Sequence, residues 1–209
     1  IESLRPHDRD SHSQPPLAVL EVRPQGRDGA EVLGSVPSVD SGFLRELLPD
    51  YMDSVYTVCP VLDETAMNGH IQGFGSSAED TALCYAYAAV TIATGPSEHI
   101  LKRPEVIQTY MSRALKLRPP IGRSNDIKLA RVVFAVFLRI SFALLQDGDM
   151  DFFYMREAIT MLQMTRLGEE EPTGTSVAET LSWQRLRWVV FIQERVACIC
   201  HERKAIIET

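Results

Sequence analysis

Several short constellations in this chain carry residue types that could do chemistry. Gly73-x-Gly75-x-x-Ala78, with Glu98 downstream, has the spacing of a dinucleotide-binding turn. Such a turn works because a buried strand leads in and a helix N-terminus leads out, so that backbone N–H groups surround a pyrophosphate. Met67-Asn68-Gly69-His70-Ile71-Gln72 does not read as a strand, and the glycines are expected in a loop ahead of a helix cap. Gly95-Pro96-Ser97-Glu98-His99 offers a serine, but without the final glycine and leading strand of a nucleophile elbow. It reads as a turn between helices. Cys198-x-Cys200-His201 suggests soft-metal ligation. Positions two apart on a helix differ by about 200° in direction, however, and tetrahedral zinc needs four converging ligands. Structural burial is the expectation there.

The acids Asp147, Asp149 and Asp151, and Glu169-Glu170-Glu171, are expected on solvated loops, because the glycine and distal glutamate of a calcium loop are not at the right spacing. His70, with no acid or nucleophile beside it in sequence, and His99 read as surface residues, since Ser97 and His99, two apart, make no triad without a third partner. The most informative charges are Arg185, Arg187, Glu194 and Arg195, threaded through a bulky apolar run with Trp188. Charges in such a run must pair or reach the surface. Glu194 and Arg195 are adjacent, point about 100° apart, and are expected to find partners on other helices. These five residues are the candidates for a charged, aromatic core that locks helix packing. If Arg195 neutralises a buried acid, its removal costs about 3–5 kcal/mol.

The elements that would position these groups are helices. After residue 40 no useful period-two pattern appears, whereas apolar residues recur at helical spacing. Phe43, Leu44, Leu47 and Leu48 follow the capping residues 38–41, and Pro49 forces a kink or a new start before Tyr51, Val55, Tyr56 and Val58. A loop is expected to follow as far as Ser77. Ser76 or Ser77 with Glu79 or Asp80 resembles a capping box, opening a deeply buried small-residue helix from Ala78 to Ile92. Further helices are expected over Pro104–Leu117, over 125–145, from Phe152 to Leu167 before Gly168, and from Val177 to near Arg203. The fold class is all-α: a single domain of about six main helices in antiparallel pairs over residues 40–209, preceded by a mostly irregular polar linker, residues 1–39.

The chain has 209 residues, with 28 acidic against 21 Lys and Arg side chains and a net charge of −7. Phosphate neutralisation supplies most nucleic-acid affinity, so this segment is not expected to bind nucleic acid directly. No stretch approaches the roughly eighteen apolar residues of a membrane span, and a membrane partner is not expected. Cys59, Cys84, Cys198 and Cys200 do not form a disulfide framework, which fits a reducing intracellular compartment.

The order of segments resembles the regulatory, middle-homology domain of fungal zinc binuclear-cluster transcription factors. Val58-Cys59-Pro60-Val61-Leu62-Asp63-Glu64 stands where that family has its Pro-containing segment, and residues 82–93 where it has a small-residue helix. Leu129–Leu145 followed by Tyr154–Gly168 is similar to its paired helices. Arg185-Leu186-Arg187-Trp188-Val189-Val190-Phe191-Ile192-Gln193-Glu194-Arg195 is similar to its Arg-Arg-Leu-Trp-Trp signature ending in acid-Arg. The closing Glu-Arg looks closest to the branch regulating starch, maltose and xylan utilisation. Val189 replaces the second family Trp, Met155 or Arg156 a glycine, and Ala205 a proline.

The resemblance implies a non-catalytic, nuclear, effector-responsive regulatory domain. Its partners would be proteins, another copy of itself or a small-molecule effector. No cofactor is expected in this chain, and zinc only in a cysteine cluster elsewhere in the parent. The family's domain also continues further, so these residues would be the N-terminal part of a longer one, with apolar helix surface left open to a partner. The competing classes are a helical scaffold subunit of an assembly and a small-molecule-binding helical enzyme.

Overall fold

The computed structural model describes residues 37–96, 103–118, 120, 127–165, 177–201 and 207. Among these residues there is no strand, and the helices fall into seven stretches. The all-α expectation holds, with one helix more than the sequence pattern suggested. The first stretch, α1 (41–58), is broken as Pro49 requires. Ser41–Glu46 is α-helical, Leu48–Asp50 restarts after the Leu47 cap, and Tyr51–Val55 is a π-helical turn running into Tyr56–Val58. Proline has no N–H to donate and its ring crowds the preceding turn. Asp40 caps the start, accepting a hydrogen bond from the Phe43 N–H at 2.8 Å.

The unexpected helix is α2 (Glu64–Gln72), where a loop was expected. Its apolar signal is sparse, because only Met67 and Ile71 are buried. The Asp63 carboxylate starts it by accepting from the Ala66 N–H at 2.9 Å. Helix α3 (Ala78–Thr94) is capped by Ser77, whose hydroxyl accepts from the Asp80 N–H, and ends at Gly95. Helix α4 (Pro104–Leu117) begins with its proline in the first turn, where the missing N–H costs nothing. It buries Val106, Ile107, Tyr110, Met111 and Ala114, one face at helical spacing.

Helix α3 is the centre of the body. Ala82, Leu83, Cys84 and every residue from Ala86 to Ala93 are buried. It packs along α4 and along α5 (Leu129–Leu144). Its alanines let neighbouring backbones approach, and Tyr87 fills the remaining gap, 5.2 Å centroid to centroid from Tyr51. Tyr51 in turn meets Phe137 of α5 at 6.1 Å. Buried phenols need acceptors, and these find main-chain carbonyls. Tyr51 donates to Leu62 O at 2.8 Å, Tyr87 to Leu44 O at 3.1 Å and Tyr110 to Pro37 O at 3.1 Å. Burial drives the Tyr51 and Tyr87 phenols far above their ordinary pKa, so both remain neutral donors. The expected linker over residues 1–39 lies outside the described residues up to 36. At its end Val39 is buried and Pro37 anchors Tyr110.

Helix α5 pairs with α6 (Gly148–Met164). The link between them is short, and Gly148 already opens α6. Gln146 N–H donates to Ala143 O and Asp147 N–H to Phe142 O, at 3.1 and 3.0 Å. That is the hydrogen-bond pattern of a Schellman cap. The left-handed position is Gln146 at φ 61°, a residue type that pays for this conformation. The Asp147 side chain then caps α6, accepting from the Met150 N–H at 3.1 Å.

Asp151 corrects the expectation of a solvated acid. It is buried on the first turn of α6, with Oδ1 2.8 Å from Arg139 Nε on α5. Neither atom has an aligned hydrogen-bond partner among the described residues, so this is a contact of charges rather than a straight hydrogen bond. A second clamp joins Arg118, just past α4, to Glu157 of α6, with Nη1 donating to Oε2 at 2.9 Å. These two ion pairs join α6 to α5 and to the end of α4.

Two substitutions check this account by chemical denaturation. Asp151→Ala leaves the Arg139 guanidinium without its acid in a mostly buried site and should destabilise by about 3 kcal/mol. Gln146→Gly relieves the left-handed strain and should stabilise by about 0.5–1 kcal/mol.

Candidate interaction surface on the last helix

Helix α7 (Val177–His201) runs for 25 residues without an internal Gly or Pro. At about 100° per residue, Trp183, Leu186, Val190 and Glu194 share one face. All four are buried, and α7 packs on α5 and α6. Val177, Leu181, Trp188, Ile192, Val196 and Ile199 fall within an arc of about 100° on the opposite side. All six are exposed, Trp188 to 62% and Ile199 to 78%. One helix thus carries two apolar faces, and the described body covers one.

Trp188 stands as a ridge between two clefts. The larger, about 580 Å³, has Ile159, Leu162 and Gln163 of α6 on one wall and Gln184, Arg187, Trp188 and Phe191 on the other, with Ile207 closing it. The smaller, about 420 Å³, is bounded by Val58 at the end of α1 and by Pro60 just after it. Its α7 wall is Leu181, Gln184, Arg185, Trp188, Val189, Ile192 and Gln193. The only formal charges among the described lining residues are Arg187 in the first cleft and Arg185 in the second. Neither arginine pairs with an acid among the described residues.

The five sequence candidates therefore separate. Arg185, Arg187 and Trp188 are exposed and form no charged core, which corrects the expectation of a packing lock. A local sequence cannot reveal which side of an apolar helix meets the body. Glu194 is 2% exposed, as a buried charge needing partners, and Arg195 is half-buried. Their shared partner is not on another helix. The Ile207 N–H donates to Glu194 Oε2 and Oε1 at 3.1 and 3.2 Å, and Arg195 Nη2 donates to Ile207 O. Neighbouring side chains can hold one residue in this way because its N–H and C=O are separate handles. Arg195 also lies over the Phe191 ring, 4.9 Å from the centroid, a cation–π contact.

The other constellations are absorbed by structure. A Cβ on Gly73 would stand 2.4 Å from Asp80 Oδ2. Gly75 takes φ +82°. The helix that leaves this turn thus presents an Asp carboxylate at its start, which opposes a phosphate. His70 is not the acid-free surface residue expected. Its Nδ1 lies 2.7 Å from Asp80 Oδ1, tying α2 to α3 across a separation the sequence does not reveal. Burial pushes the Cys59 and Cys84 thiols up to about 12, so both stay protonated and poorly nucleophilic at neutral pH. Burial also raises the Tyr154 phenol to about 12, against the opposing pull of Arg118. Ser97, Glu98, His99 and Glu169-Glu170-Glu171 lie outside the described residues, as do the side chains of Cys200 and His201. Among the described residues no three His, Cys, Asp or Glu side chains gather as a metal site, and no helix is long and apolar enough to cross a membrane.

Fold and site define an all-helical domain with an uncovered apolar helix face and two concave flanks. No protein-family model, curated protein or solved structure matches this chain significantly.

Since Arg195 holds a backbone carbonyl rather than the buried acid, Arg195→Ala should destabilise by about 1–2 kcal/mol. Urea denaturation of Arg195→Ala beside Asp151→Ala checks the ranking, with Asp151→Ala the larger loss.

Proposed function

We propose that this chain is a non-catalytic regulatory domain of a fungal transcription factor, acting through the exposed face of α7. The single observation that carries the reading is that face, with its apolar stripe and two clefts on either side of Trp188. Monomeric surfaces rarely leave large contiguous apolar patches open, and such patches mark interaction sites. The same segment, Arg185 to Arg195, bears the resemblance to the fungal regulatory domains. That resemblance stands on the residues alone. On this reading the protein works in the nucleus, its zinc cluster lies elsewhere in the parent, and this segment itself leaves DNA to that cluster.

Regulation follows from a packing equilibrium that a ligand biases by binding one state better. The larger cleft has a wall, Ile207, held by Glu194 and Arg195. A partner that fits the cleft with Ile207 in place favours that arrangement. A small-molecule effector is the second reading, favoured by the cleft's volume of about 580 Å³, within the usual range for ligand sites. A scaffold subunit would use the same face as a permanent contact. An enzyme would need polar groups converging on one point, and the described linings offer two arginines and glutamines among apolar side chains.

The test joins this chain to an unrelated DNA-binding domain and reads a reporter gene in a fungal cell. Exposed aromatic anchors contribute about 2 kcal/mol or more to interfaces, roughly a 30-fold change in Kd. Trp188→Ala should therefore shift reporter output strongly in one direction, with an unchanged melting curve because Trp188 is exposed. Unaltered output from a stably folded Trp188→Ala chain would overturn the reading.

A further inference from the structure

We infer that the α7 face docks an acidic amphipathic helix of a partner protein. This deepens the proposed function and rests on its reading of α7 as the working surface. Four observations select the occupant. First, the apolar stripe from Leu181 to Ile199 is straight and helical, about 27 Å long at 1.5 Å per residue. That suits a partner helix of about five turns laid along it, with anchors at helical spacing. Second, the flanks are concave: Trp188 divides two clefts that can each receive a bulky side chain.

Third, the charge is one-sided. Arg185 and Arg187 flank Trp188, one in each cleft, with no acid beside them among the described lining residues. This occurs in a chain whose net charge is −7, so the cationic edge is local. Carboxylates beside the partner's apolar stripe would give each guanidinium the planar, two-pronged acceptor it matches best. Fourth, a second copy supplies no such acid. Along α7 from Leu181 to Ile199 the one acid is Glu194, which is buried and holds the Ile207 N–H. Two antiparallel copies of the stripe would bring Arg185 opposite Arg195, like charge against like. An anionic lipid surface would meet the arginines, but it wants a protruding amphipathic face rather than a ridge between clefts, and the net charge of the chain opposes it.

The experiment uses the whole 209-residue chain with Trp emission as the signal, Trp183 being buried and Trp188 exposed. Three synthetic helical peptides share Leu and Phe anchors at i, i+4, i+7 and i+11, and differ only in carrying Glu, Gln or Lys beside them. The Glu peptide should saturate with a blue shift at about micromolar Kd, and the Lys peptide should bind at least about tenfold more weakly. Raising salt should weaken the Glu peptide and spare the Gln peptide. Arg185→Glu with Arg187→Glu, both at exposed positions, should invert the ranking, and Trp188→Ala, which removes the reporting indole and is followed by titration calorimetry, should weaken every peptide.

Equal binding of the three peptides would overturn the acidic partner while leaving α7 as an interaction surface. Self-association in sedimentation that Trp188→Ala abolishes, without peptide binding, would replace the partner with a second copy. A blue shift on phosphatidylserine vesicles alone would replace it with a membrane. Absence of every response, together with a reporter indifferent to Trp188→Ala, would remove the proposed function as well.

Discussion

Helix α3 has almost no polar side chain between Thr81 and Thr94 with which to face water, and everything else in the body follows from covering it. Alanine dominates its surface, so the neighbours must come close, and an extended run of fully buried helix needs cover on every side. Helices α4 and α5 cover two sides, and α1 comes over a third with Tyr51 against Tyr87. The break at Pro49 assists this. Across the restart and the π turn, Leu44 O accepts from the Tyr87 hydroxyl and Ser54 meets Thr94, the two hydroxyl oxygens 3.0 Å apart. Tyr51, Tyr87 and Tyr110 then tie the irregular parts down, each phenol donating to a carbonyl outside its own helix.

The same rule leaves α7 in a different position. Covering α3 takes α1, α4 and α5, and α6 is then secured to α5 by Arg139–Asp151 and to the end of α4 by Arg118–Glu157. Helix α7 comes last and seats its buried apolar residues Trp183, Leu186, Val189 and Val190 on that platform. Its second apolar face contributes nothing to the described body. A residue such as Trp188, mostly exposed and in ring contact with Phe191 of its own helix, is where sequence can serve recognition at little cost to the fold.

The sequence shows elements whose signal is local and hides pairings that are not. Helices α3, α4 and α5 were legible because their apolar spacing is dense, and the Ser77 cap and Pro49 break because each acts within a few residues. Helix α2 was not, because two buried side chains in nine residues give no periodicity and its start depends on the single Asp63 carboxylate. Asp151 and His70 were misread for a shared reason: their partners, Arg139 and Asp80, lie twelve and ten residues away on other helices. Spacing within one segment cannot reveal such partners. Arg185, Arg187 and Trp188 were picked out correctly as unusual and placed on the wrong side, since an apolar run threaded with arginines has the same pattern whichever face is buried.

Glu194 and Arg195 show how a local rule can hold while its consequence changes. Adjacent on a helix, they diverge by about 100°, and separate partners seemed necessary. One residue meets both, because Ile207 presents its N–H to the carboxylate and its C=O to the guanidinium. Both side chains thus hydrogen-bond to one backbone segment. That places a wall of the larger cleft under the control of two hydrogen-bonding side chains. Whatever enters between Phe191 and Ile159 meets Ile207 on the way. Binding there and retention of the Ile207 contact are linked equilibria, and by linkage each must bias the other to the same degree.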